Sequence, residues 1–449
     1  MFFKKISLVL LILSAAVIAK AQPVQTQLDS VLTLQQCVNI AIINNLSVKK
    51  SETQMLRDKI SWDQARENLL PNLNGQAGYN ITYGRGTNTS GVTVSASQSK
   101  FAQFSLNSNI LLSNGLSAIN TIRQNSLAYQ AGKMDFQEVK NETTLTIISL
   151  YFIVLNSEDQ LSQAKLQFDA SKVNLDREKN LNDAGSVAPA EYYNIKGIHS
   201  TDQINIYNAQ TAVLTAKINL LEAMNVAYKK DIKLERLQAN NSPEVYPSNP
   251  DEIYSAALSS LALVKAADLR VKSAEKEVSA AKGKYYPTLT LGYGTSTQYS
   301  NLPNGNEPPA SFSSQFKDNR LYGPSLNLQV PFLNYFQSRN NVRRAKLDLL
   351  DAQNNNSSTQ IQLKQQIEQA HANMTNARDR LQILNDQVVT YQSLYDAQKT
   401  KFDAGVITSD IFIIAKNNLD AANVNLINAR YDYLIRTKIL DYYQGKLSF

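Results

Sequence analysis

The sequence predicts an α+β membrane protein built as a tandem repeat, with two strand pairs and several long helices in each chain. Three observations carry that expectation. Two windows of the chain alternate apolar and polar residues with period two, a stretch of 70 residues lacks both glycine and proline, and the chain matches itself at an offset of 220 residues.

The chain opens with Lys4-Lys5, an apolar run from Ile6 to Ile18, and Ala19-Lys20-Ala21 before Gln22. A basic start, a short apolar core and small residues at a cut describe a secretory signal peptide over 1–21. The run is shorter than the roughly 20 apolar residues that a spanning helix needs. No later segment approaches that length, so a membrane location would have to rest on strands.

Composition excludes several classes of function. Lysine and arginine total 45 against 38 acidic residues, a net charge of +7. Without Lys4, Lys5 and Lys20 the balance is 42 against 38, weak and scattered, which argues against a nucleic-acid partner. The single cysteine, Cys37, cannot form an internal disulfide and reads as a small apolar helix residue. His199 and His371 are far apart, with no metal-ligand spacing around either. No nucleophile elbow, phosphate-binding glycine loop or Cys/His pair is present. The expectation is a protein with no enzymatic activity, no cofactor and no metal.

The first strand pair falls between Asn72 and Leu112. Leu73, Gly75, Ala77, Tyr79, Ile81 and Tyr83 alternate with Asn72, Asn74, Gln76, Gly78, Asn80 and Thr82. Phe104, Leu106, Ile110 and Leu112 alternate with Gln103, Ser105, Asn107 and Asn109. The second pair repeats the pattern. Leu289, Leu291 and Tyr293 alternate with Thr288, Thr290 and Gly292, and Leu326, Leu328, Val330 and Phe332 alternate with Ser325, Asn327 and Gln329. Strands of about 10 residues with one apolar and one neutral polar face suit a membrane barrel, with lipid outside and water inside. A soluble sandwich with one buried face is the alternative. On the barrel reading Leu106, Leu291 and Leu328 face lipid, while Asn107, Thr290 and Asn327 face the lumen. Tyr79, Tyr83, Phe101, Phe104, Tyr293, Tyr299, Tyr322 and Phe332 would form interface girdles. The connections Arg85–Ser97 and Ser300–Asn319, rich in Gly, Ser, Thr, Asn and Pro, read as irregular loops.

Each strand pair is followed by a long helix, a glycine turn and another helix. Tyr335 to Ala404 contains neither breaker and would be on the order of 100 Å long as a helix. Beyond Gly405, Phe412, Ala415, Leu419, Ala422, Leu426, Ala429, Tyr433 and Leu440 follow steps of three and four, with Arg436 the one polar position. Large residues alternating with alanine let helices approach closely, as in a coiled coil or helical barrel.

The self-match sets the organisation. Ser105-Leu106-Asn107 answers Ser325-Leu326-Asn327, Asp183-Ala184-Gly185 answers Asp403-Ala404-Gly405, and Leu220 answers Leu440. Before the strands the offset is 216, so the length change falls in the strand–loop–strand region. The expected division is a first repeat at 22–227, an irregular linker at 228–250 and a second repeat at 251–449. Each repeat reads helix, strand, loop, strand, long helix, glycine turn, helix. Four strands cannot close a barrel, and an open edge in lipid leaves backbone groups unpaired at several kcal/mol each. Three chains would supply twelve strands and a water-filled lumen.

These residues resemble the TolC family of outer-membrane efflux proteins across nearly the whole mature chain. The resemblance rests on Leu34-Gln35-Gln36-Cys37-Val38-Asn39-Ile40-Ala41, Leu69-Leu70-Pro71 and Leu111-Leu112-Ser113-Asn114-Gly115. Phe402-Asp403-Ala404-Gly405, with Ala415, Leu419, Ala422 and Asn428-Ala429-Arg430-Tyr431-Asp432-Tyr433-Leu434, is its most specific part. It implies a homotrimer in the outer membrane of a Gram-negative bacterium, with a twelve-stranded barrel continued by a periplasmic helical barrel. It also implies a passive duct for drugs, metals or polypeptide that docks to a periplasmic adaptor and an inner-membrane RND or ABC transporter. A periplasmic or surface coiled-coil spacer without channel activity is the rival reading.

Gly185 and Gly405 would mark the periplasmic tips. In the family, acidic residues just past the second-repeat glycine help line the narrowest point. Here Glu191 and Asn194 follow Gly185, but the matching second-repeat positions hold Ile411 and Ile414, with Asp410 one residue off register. The expectation is a gate closed by Ile411 and Ile414, with Glu191 and Asp410 making tip contacts. The alternative is that both isoleucines pack against a neighbouring helix.

Overall fold

The structure, a computed structural model, describes residues 31–87, 91, 93–229, 232–236, 244–303 and 308–446. The expected signal peptide, the centre of the Arg85–Ser97 loop and the Asn304-Gly305 pair lie outside the described residues.

The two repeats build the same helical set. The first has α1 (Leu34–Asn44), α2 (Leu46–Glu67), α3 (Ser117–Asp183) and α4 (Pro189–Ala223). The second has α5 (Pro250–Ser260), α6 (Ala262–Gly283), then α8 (Gln337–Asp403) and α9 (Ser409–Tyr443), with the short α7 (Phe312–Asp318) before α8. Both long helices have 67 residues and both returning helices have 35. A 67-residue helix is on the order of 100 Å long, and its 35-residue partner covers about half of that. The other half of α3 packs against α2 and α6, and α6 also packs against α8. Four helices therefore lie side by side at each level.

The opening helix of each repeat is broken, where the sequence reading expected one continuous helix. Asn45 adopts an extended conformation and its side chain accepts from Ser47 N and Val48 N. It thus ends α1 and caps α2. Leu261 makes the equivalent break without a polar cap. Two cores collect around these breaks. Cys37, Ala41, Ile147, Tyr151, Leu220 and Met224 form the first, and Ile253, Ala257, Ile367, Met374 and Leu440 form its counterpart. Ile147 and Ile367, 220 residues apart, are both fully buried. Cys37 lies in this apolar core, and burial pushes its thiol up to about 12.

The 228–250 linker is less irregular than its composition suggests. Within it β4 (Lys233–Leu234) pairs in parallel with β1 (Val31–Leu32). Tyr151 Oη donates to Leu32 O and Glu235 O at 3.3 and 2.6 Å, so backbone pairing ties the linker to the first core. Pro250 opens α5, where its missing N–H costs nothing.

The main sheet is antiparallel, in the order β2 (Asn74–Thr87), β3 (Thr93–Ser113), β5 (Thr288–Ser300), β6 (Leu321–Gln329). β6 stops two residues before Pro331, so Val330 and Phe332 lie outside the strand that the alternation assigned them to. The Ser300–Asn319 connection is not wholly irregular either. Ser311 caps α7 by accepting from Ser314 N, and a helical turn forms inside a Pro- and Ser-rich loop.

Candidate functional site: sheet faces and helical tip

Pair register decides which side chains share a face. Asn107 pairs with Asn74 on β2 and Gly294 on β5, and Thr290 pairs with Asn327. Gly294 and Thr290 have the same parity, so Asn107, Thr290 and Asn327 stand on one face. That face also carries Gln76, Asn80, Gln103, Ser105, Asn109, Gln298, Ser325 and Gln329. The glycines on it make room for its amides. A Cβ at Gly294 would meet Asn107 Oδ1 at 2.8 Å, and one at Gly292 would meet Ser325 Oγ and Asn109 Oδ1 at 2.6 and 2.8 Å. Leu106, Leu291 and Leu328 share the opposite face with Ala77, Ile110 and Leu289.

Not every aromatic expected in a girdle lies on the apolar side. Tyr79, Phe104, Tyr293, Tyr299 and Tyr322 do, whereas Phe101 pairs with Asn80 and Ser300 on the polar face. Period two alone could not place Phe101, because Lys100 and Phe101 fit either phase. The sequence reading missed Tyr285, Tyr286, Tyr335 and Phe336 at the helix–strand junctions, all exposed. Tyr335 and Phe336 hold φ of 55 and 58°. The first-repeat equivalents are Gly115 and Leu116, at 66 and 64°. A Cβ on Gly115 would meet Gly283 O at 2.5 Å, so only glycine fits there, while Tyr335 is fully exposed and tolerates a ring at some backbone strain.

At the far end of the helices, Gly185 and Gly405 both have φ of 71°. Each closes its helix the same way. Gly185 N and Ser186 N donate to Asn182 O and Leu181 O, and Gly405 N and Val406 N donate to Phe402 O and Lys401 O. These paired bonds satisfy the last carbonyls and require the left-handed glycine.

The two glycine turns are tied to each other within one chain. Arg177 donates to the Asp403 carboxylate and, at 2.7 Å, to Asp403 O, with its guanidinium 5.4 Å from the centre of the Phe402 ring. Thr408 makes no side-chain cap on α9. Glu191 supplies one from the first repeat, its Oε2 accepting from Ser409 N at 2.7 Å, and Asn194 Nδ2 donates to Ser409 Oγ at 3.2 Å. A carboxylate at a helix N-terminus is favoured by the dipole and the unpaired N–H groups. Burial pushes the neighbouring Glu178 carboxyl up, and Glu191 and Asp403 add to the rise against the pull of Arg177. Asp410 is exposed, and a hydrogen bond from Thr408 holds its carboxyl below the usual range.

Phe412 is buried and stacks on Phe402 at 4.7 Å, with Ile195, Ile407 and Ile413 around it. Ile411 and Ile414, on either side of that core, are 43% and 62% exposed in the single chain. Further from the tip, Lys416 on α9 is buried between Asp202 of α4 at 3.0 Å and Asp420 at 2.6 Å. Burial pushes the Asp420 carboxyl up even against Lys416. The repeat pattern hid this pair, since Asp202 answers Ala422 across the offset. His199 packs on Phe168 and contacts Ser171 Oγ through Nδ1, a helix-packing role. No described helix is long and apolar enough to cross a membrane.

Residues 37–226 and 253–445 match the family described as outer membrane efflux protein. The outer membrane protein TolC of Escherichia coli (strain K12) is 24% identical over 427 residues, covering 91% of this chain and 81% of that protein. The toxin and drug export protein A of Aggregatibacter actinomycetemcomitans is 20% identical, covering 89% and 83%. Among solved structures, VceC from Vibrio cholerae superposes with a TM-score of 0.77 at 12% identity, covering 92% of this chain and 96% of that one. The open-state MtrE outer membrane channel of Neisseria gonorrhoeae gives 0.74 at 15%, covering 92% and 89%. With both halves matched, the chain belongs to the outer membrane efflux protein family, a family of outer-membrane channels and not of enzymes.

Proposed function

We propose that three copies of this chain close a twelve-stranded barrel whose polar face lines a water-filled lumen, and that the helices extend that lumen into the periplasm. The observation that carries the proposal is the four-stranded sheet with one polar and one apolar face and two edges, β2 and β6, that no other strand of the described chain covers. Such edges are untenable in lipid unless another chain pairs with them. Four helices side by side in each protomer make twelve around the axis.

On this reading residues 1–21 are a removed signal peptide, 22–227 and 251–449 are the two repeats, and 228–250 is the strap between them. The duct is passive and works in a tripartite export system, docked to a periplasmic adaptor and an inner-membrane RND or ABC transporter. A relative named for export of toxin and drugs supports outward transport as the direction. Ile411 and Ile414 close the tip by meeting their counterparts around the axis, where an apolar constriction expels water. The Arg177–Asp403 and Glu191–Ser409 contacts hold the two hairpins of each protomer together in that closed state.

Native mass spectrometry in mild detergent tests the assembly. A mass of three chains that collapses to one on boiling is expected. A monomer or dimer would overturn the barrel, because four or eight strands leave no lumen of useful bore.

A further inference from the structure

The helix α7 lies on the apolar face of the sheet, and its attachment is specific. Thr297 Oγ1 donates to Phe316 O at 2.8 Å, and Asn319 Nδ2 donates to Gln298 O at 2.8 Å. Gln315 Nε2 donates to Ser300 O at 2.8 Å while its Oε1 accepts from Ser300 N at 3.0 Å. Phe316 and Phe312 pack edge-on against Phe104, at 5.6 and 6.4 Å, and Phe312 also meets Tyr299 at 5.2 Å. Both phenylalanines remain partly open, at 38% and 48% exposed.

Beside this helix a groove of about 540 Å³ crosses β2, β3 and β5. Ala77, Phe104, Leu106, Thr295 and Phe316 line it, and Arg320 borders it on the α7 side. Arg320 and Lys317 are exposed, and neither has an ion pair or side-chain hydrogen bond among the described residues. Asp318, the only acid between Pro308 and Arg320, accepts from Ser314 Oγ at 2.7 Å. Lys100 has the parity of Ala102 and Phe104, which puts a third basic residue on this face, further out.

We propose that this groove is a binding site for a phosphorylated acyl lipid of the outer leaflet, its chain lying over Leu106 and Phe104 and its phosphate held by Arg320 and Lys317. The proposal rests on the reading that the apolar face meets lipid. Depth supports it. Thr297 is the tenth residue of β5, which begins at Thr288, and about 9–11 tilted residues cross the hydrocarbon. The aromatic helix therefore sits at the outer boundary, where amphipathic helices lie and where lipid phosphates are. The groove runs across the strands near that depth, since Gly75, Leu106 and Thr295 share one rung of the sheet and Ala77, Phe104 and Thr297 another. An apolar trough ending at an unpaired guanidinium matches an acyl chain joined to a phosphate, which arginine can bind with two parallel N–H donors.

The test is native mass spectrometry of the detergent-solubilised trimer titrated with bis-phosphorylated, six-chain lipid A. Up to three bound copies per trimer are expected. Arg320→Ala with Lys317→Ala should weaken binding by about tenfold or more while leaving the trimer intact, since both side chains are exposed. Dephosphorylated lipid A should bind no better to the native protein than to the variant. Equal affinity of native protein and variant for the phosphorylated lipid would overturn the site, as would displacement of the lipid by inorganic phosphate alone. A spin label on Leu328→Cys separates this from the channel reading. If the label is quenched by oxygen and shielded from a water-soluble nickel chelate, yet no lipid binds, the lipid site alone fails. If the label is open to the chelate, the orientation of the barrel fails with it.

Discussion

Single residues set the chemistry of the tip and of the helical core. Ile411 and Ile414 leave nearly half or more of their surface open while Phe412 between them is buried. Their exposure in one protomer is what an axial constriction formed by three copies requires. Ile411→Asp with Ile414→Asp should hydrate that constriction and raise the cation conductance of the isolated trimer in a planar bilayer. Unchanged conductance, or loss of the trimer, would favour ordinary packing between helices. Glu138 offers a second test. It is 8% exposed and receives the Tyr442 hydroxyl on Oε1. Burial pushes its carboxyl up against hydrogen bonds from Tyr442 and the Leu263 backbone, with Glu142 and Asp135 adding to the rise. A carboxyl raised in the folded state binds its proton more tightly there than in the unfolded chain. Its contribution is therefore full below the ordinary carboxylate range, near pH 4, and is lost as pH rises through the raised value. Glu138→Gln should flatten the fall in thermal midpoint as the pH rises from about 4. An identical slope in the variant would remove Glu138 from the account.

At the scale of elements, the two hairpins share their geometry and differ in their contacts. Their glycine turns have the same bonds and the same φ, and both were legible as Asp-Ala-Gly repeated at one offset. The lengths of the long helices were legible too, because nothing between Tyr335 and Ala404 interrupts them. The break at Asn45 was not, since asparagine is tolerated inside helices and no glycine or proline flags the site. The aromatic helix α7 was hidden for the opposite reason: its surroundings have the composition of a loop. Contacts between repeats were invisible because they break the self-match. Glu191 stood out as an acid near a turn, but its service as the cap of α9 depends on a fold that brings Ser409 alongside. The buried Lys416–Asp202 pair is of the same kind. Lys416→Met leaves Asp202 buried without its partner and should cost about 3–5 kcal/mol. Lys416→Met with Asp202→Leu should recover the share of that loss owed to Asp202 in the thermal midpoint, with Asp420, at 22% exposed, keeping its own. A double variant as unstable as the single one would show that packing, and not the stranded charge, sets the cost.

For the whole molecule, the account turns on which face of the sheet meets water. The period-two pattern made the two faces legible, and the register aligns Asn107, Thr290 and Asn327 across β3, β5 and β6. Only the closed assembly gives those faces an inside and an outside. Neighbouring positions on one strand therefore provide the most direct measurement, the single-channel conductance and ion selectivity of trimers carrying Asn327→Arg or Leu328→Arg. Asn327→Arg should assemble normally and shift selectivity toward anions, while Leu328→Arg should lose about 2–4 kcal/mol of stability in the membrane and yield little trimer. A selectivity shift from Leu328→Arg, with Asn327→Arg failing to assemble, would contradict the account.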